Sequence, residues 1–104
     1  MRDESIANER LWQEFEQSIR ELNRRYIRAA TGGVRREHLL RSAENVARLR
    51  ARYLNAVLRL EAAMETPPTP ELEKVRELRL AFEEALQGFE ALRHAHERGY
   101  FELA

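Results

Sequence analysis

The chemistry open to this sequence is carried by arginine. Seventeen of its eighteen basic residues are Arg, with Lys74 the single lysine. Arg24, Arg25 and Arg28 precede a glycine pair, Gly32 and Gly33, and Arg35, Arg36 and Arg41 follow it. Two glycines let a ligand approach the backbone, and a helix starting just after them offers free N–H groups and a partial positive charge. A phosphate or a carboxylate suits such a place. The plainer reading is that the glycines reverse the chain while the arginines solvate its end. Thr31-Gly-Gly-Val-Arg-Arg36 lacks the spacing and the lysine of a phosphate-binding loop.

A second group is Arg41, Arg48, Arg52 and Arg59. At about 100° per residue these four project within about 40° of one another on a helix. Such a stripe could track the phosphate backbone of a nucleic acid in a salt-sensitive, sequence-independent way. No aromatic residues are interleaved with it to stack on bases, and a solvated helix face needs no ligand. Arg50 is different, because it falls among apolar neighbours, Val46, Tyr53 and Leu54. It either finds an anionic partner or lays its methylenes along the seam and reaches water with its head. Glu61, in nearly the same angular sector, raises the same question.

His94 and His96, beside Glu90 and Glu97, do not make a metal site. Residues two apart on a helix point about 160° away from each other, whereas chelating pairs use three- or four-residue spacing. Glu90 and His94 have that spacing, but His38 is distant in sequence. The chain has no cysteine, which excludes thiolate zinc sites, disulfides and cysteine nucleophiles. No nucleophile motif or acid–base pair on an apolar face is present. The expectation is a non-enzymatic protein without metal or cofactor.

Three helices must position these residues. Trp12, Phe15, Ile19, Leu22, Tyr26 and Ala29 are spaced alternately by three and four. That is a seven-residue repeat, which a strand, alternating with period two, cannot use. Asp3 or Ser5 is placed to cap its start, and Thr31-Gly-Gly33 stops it. The spacing predicts a first helix over about 5–30. A second, over about 34–65, carries Val46, Leu49, Tyr53, Val57, Leu60 and Met64 in one seam. Ala47, Leu54 and Leu58 widen that seam to roughly half the circumference, more than one neighbour can cover. Thr66-Pro-Pro-Thr-Pro70 ends it.

The third helix, over about 70–98, starts on Thr69 as cap with Pro70 in first place. Its stripe is Val75, Leu78, Phe82, Ala85, Phe89, Leu92 and His96, broadened by Leu86, and Gly99 breaks it. Tyr100-Phe-Glu-Leu-Ala104 remains as a short apolar tail, 99–104 in all. Glu16–Arg20, Glu21–Arg25, Glu37–Arg41 and Glu44–Arg48 have the spacing of helix-surface ion pairs.

At 104 residues, 43% of them apolar and 35% charged, the chain is one domain, 1–104. Short connections make successive helices antiparallel, so the expected fold is an all-α, elongated up-down-up three-helix bundle with coiled-coil-like packing. Charge is segregated along the sequence. Residues 1–19 hold two arginines against five acids, 20–60 eleven arginines against three, and 61–104 five bases against ten acids.

A narrow rod buries little surface, so self-association is expected to complete the fold as a homodimer or higher oligomer. The interface candidates are Tyr53, Leu54, Leu58, Arg50, Tyr100 and Phe101. The expected function is protein–protein assembly, as an adaptor, a small regulator or a chaperone-like subunit, with another protein as a second partner. The alternative is a nucleic-acid-associated protein using Gly32, Gly33, Arg35, Arg36, Arg41, Arg48, Arg52 and Arg59. No apolar run reaches the ~18 residues of a membrane span, and residues 1–10 lack a signal-like stretch, so a cytoplasmic location without membrane contact is expected.

Overall fold

The computed structural model describes residues 2–63 and 69–103, and side chains among them from residue 3 to 60 and from 69 onward. The expectations for Glu61, Met64, Glu65 and the 66–68 part of the proline turn lie outside these residues. The architecture is all-α: α1 (Arg2–Thr31), α2 (Arg36–Ala63) and α3 (Thr69–Glu97), in that order. The chain divides into two compact units. One is Met1–Arg36 with Arg93–Ala104, and the other is Glu37–Leu92.

The second unit is a helical hairpin of α2 and most of α3. Its half-buried positions repeat at three and four along both helices, Val46, Leu49, Tyr53, Val57 and Leu60 on α2 and Val75, Leu78, Phe82, Leu86 and Phe89 on α3. Val46 is the most enclosed, 5% exposed. The Tyr53 and Phe82 rings stack with centroids 6.1 Å apart. The α2 seam is therefore covered by α3, as its spacing requires. The residues that widen it are not, for Ala47, Leu54 and Leu58 are all exposed.

In the first unit, residues after α3 return along the C-terminal half of α1. Arg20 meets the carbonyl of Arg98, and Arg24 meets that of Gly99 and the carboxylate of Glu102, so tail and helix run in the same sense. Val34, 5% exposed, anchors this unit beside Ile27, Tyr100 and Phe101.

Helix ends follow local backbone chemistry. Gly32 sits at φ 75° and donates its N–H to the Arg28 carbonyl at 2.9 Å, closing α1 with a left-handed cap. Gly33 follows at φ 109°, and its N–H bonds the Thr31 hydroxyl. At the end of α3, Tyr100 N–H bonds the Ala95 carbonyl and Gly99 N–H bonds that of His96, with Gly99 at φ 75°. That pair of bonds is a Schellman motif.

All three helix starts differ from expectation. α1 begins at Arg2, so Asp3 and Ser5 lie inside its first turns, where Asp3 and Glu4 complement the positive helix end instead of capping it. α2 begins at Arg36, two residues late, with Val34 buried ahead of it in the connection. α3 takes in Thr69, with Pro70 and Glu71 in the first turn, where a missing N–H costs nothing.

Candidate functional site

The largest uncovered feature is the apolar seam of α1. Leu11, Trp12, Phe15, Ile19, Leu22 and Tyr26 are all exposed, Trp12 by 63%. At about 100° per residue they occupy an arc of roughly 100°, and no charged residue between positions 11 and 30 falls on it. Its length is roughly 22 Å at ~1.5 Å per residue. Trp12 and Phe15 already meet edge to face, centroids 5.7 Å apart, and Arg25 lies over the Tyr26 ring at 5.3 Å. Among the described side chains of α1 only Asn23 and Ile27, on its adjacent side, are half-buried. The seven-residue repeat was legible in the sequence. That its residues stay exposed was not.

The basic tip has a structural task at the end of α3. The Arg24 Nε–H donates to the Gly99 carbonyl at 2.7 Å, and its guanidinium lies 3.6 Å from the Glu102 carboxylate. Arg20 donates to the Arg98 carbonyl at 3.4 Å and packs against Gly99. These carbonyls have no partner within a helix and sit at its negative end, so two guanidiniums satisfy and neutralise them. Sequence spacing could not reveal this, because the partners are more than seventy residues apart.

Gly32 and Gly33 are explained by their positive φ, with no ligand needed. A cleft of about 180 Å³ opens between them and the tail, lined by Arg24, Arg28, Gly33, Val34, Phe101 and Glu102. A carboxylate on its wall argues against an anion. Arg35 and Arg36 are exposed, and the α2 N-terminus is two residues further on than a phosphate held at the glycines would use.

The other candidates separate into two kinds. Arg41, Arg48, Arg52 and Arg59 are exposed on α2, with Arg48 bonded to Asn45 at 3.0 Å. Arg50 is exposed too, its guanidinium over the Phe82 ring at 5.2 Å, so its stem follows the seam while its head stays wet. Tyr53 is engaged on Phe82 inside the hairpin. Tyr100 and Phe101 are half-buried, Phe101 beside the His96 ring at 5.5 Å. Of the interface candidates, Leu54 and Leu58 offer free apolar surface, Leu58 being 65% exposed.

The ion pairs at four-residue spacing that do form on α3 run from Arg to Glu, Arg79–Glu83 and Arg93–Glu97. Arg20, Arg25 and Arg48, expected to pair with Glu16, Glu21 and Glu44, reach a carbonyl, a ring and an amide. Exposed ion pairs are weak enough for such contacts to win. Among the described residues no group of three His, Asp or Glu is placed to hold a metal ion. No described helix is long and apolar enough to cross a membrane. Compared with protein-family models, with curated proteins and with solved structures, the chain finds no match.

Proposed function

We propose that this protein is a helical assembly module that works as a homo-oligomer and presents apolar helix surface to protein partners. The observation that carries the reading is the exposed seam of α1, with three aromatic residues on it. Contiguous apolar surface of this kind marks sites of association. The chemistry is docking of helix against helix, with charged flanks setting orientation. Native mass spectrometry of the protein purified from its host at low salt tests it. A homo-oligomer, alone or with a second protein, is the expected result, and a bare monomer at micromolar concentration would overturn it.

A second reading, binding of nucleic-acid backbone, draws on the exposure of Arg41, Arg48, Arg52 and Arg59 along α2. Its signature is retention on any duplex at low salt, steep loss as salt rises, and weakening by Arg48→Ala with Arg52→Ala. Absence of binding at low salt removes it.

A further inference from the structure

We infer that the α1 seam is covered by α1 of a second copy of this chain, running antiparallel, with the two-fold axis passing between residues 20 and 21. The inference rests on the assembly reading and adds the occupant of that seam, its direction and its register. Three observations point to this occupant.

The first is charge. Residues 1–19 hold Arg2 and Arg10 against Asp3, Glu4, Glu9, Glu14 and Glu16, a balance of −3. Residues 20–31 hold Arg20, Arg24, Arg25 and Arg28 against Glu21, a balance of +3. α1 is thus acidic in one half and basic in the other. An antiparallel pair sets each acidic half against a basic one and opposes the two helix dipoles, whereas a parallel pair sets like against like.

The second is register. Around that axis Leu11 meets Ala30 of the second copy, Trp12 meets Ala29, Phe15 meets Tyr26 and Ile19 meets Leu22. Every seam residue then has a partner, and the largest ring faces the smallest side chain. Moving the axis by half a heptad sets two members of the seam past the end of α1 in one direction and against Asn8 and Ser5, both polar, in the other. The repeat is also that of a left-handed helix pair, which needs its seam to stay on one side over the full length of the contact.

The third is area. About half of some 200 Å² on each of six large side chains gives about 600 Å² per copy, hence about 1,200 Å² in all, the lower end of the range for specific interfaces. The tail lies beside Ile27, on the adjacent side of α1, while the seam residues stay exposed.

The chain has no cysteine, so single-cysteine spin labels report cleanly. The test is the dipolar distance between labels on Gln17→Cys and on Arg10→Cys in the full-length protein, read beside its mass in solution. At ~1.5 Å per residue the two Gln17 sites are offset along the axis by about 10 Å and the two Arg10 sites by about 32 Å, so the Arg10 distance is the longer by roughly 10–15 Å. Ile19→Glu, exposed in the single chain, is expected to weaken the dimer by roughly 100-fold while Leu58→Glu leaves it intact. An oligomer with equal distances at both sites, or one dissolved by Leu58→Glu and not by Ile19→Glu, overturns this pairing and leaves the assembly reading standing. A monomer without dipolar signal overturns both.

Discussion

Both α1 and α2 repeat apolar residues at three- and four-residue spacing, yet Val46 of α2 is 5% exposed and Trp12 of α1 is 63% exposed. The difference lies in what reaches each seam. α2 is followed after a short connection by a helix with the same repeat, so the covering surface arrives at small cost in loop closure. α1 is met by the chain after α3, whose residues 98–102 run from Arg20 toward Val34, away from Trp12. A repeat therefore shows that a helix has a face to cover, and the neighbouring chain decides whether that face is closed within the molecule.

The sharpest way to break the contrast is Val46→Asp. An uncompensated carboxylate inside the hairpin is expected to cost about 3–5 kcal/mol, enough to melt α2 and α3 together, as loss of helical circular dichroism. Phe82→Ala removes the ring that both Tyr53 and Arg50 rest on. Because Phe82 is only half-buried, a loss of about 2–3 kcal/mol in urea denaturation is expected, at the low end for large core truncations. In the other unit, Gly99→Ala forces a left-handed residue to carry a Cβ 3.2 Å from Arg20. The expected cost is about 1–2 kcal/mol, seen as faster amide exchange at Ala95 to Tyr100.

Arg24→Gln tests how much the cap on α3 contributes. Losing a charged bond to the Gly99 carbonyl is expected to lower stability by about 1 kcal/mol, whereas Glu102→Gln, which removes only an exposed ion pair, changes it by less than about 0.5 kcal/mol. The smallest effect is expected at Leu58→Ser on the open side of α2, within about 0.5 kcal/mol in the same denaturation experiment. A loss of 2 kcal/mol or more would mean that this part of α2 is covered after all, and would narrow the difference between the two helices.

Legibility in the sequence follows the range of the interaction. Gly32 and Gly99 were recognisable as helix stops because a left-handed cap involves residues within one turn. The α2–α3 seam was readable for the same reason, as both partners carry the repeat on adjacent helices. Arg20 and Arg24 looked like solvated charge or an anion site and instead close the end of α3, through contacts that no local pattern records. Tyr53 and Arg50, named both in the α2 seam and as interface candidates, are drawn to Phe82, and the exposed large apolar residues include the α1 seam, Leu54 and Leu58.

By itself the sequence determined three helices, where two of them stop, and which side of each is apolar, since these depend on backbone preference and on spacing along a single helix. Only the tertiary structure decided which apolar side is covered and which guanidinium meets which carbonyl. Those outcomes depend on distances between segments far apart in the chain, and periodicity carries no information about them.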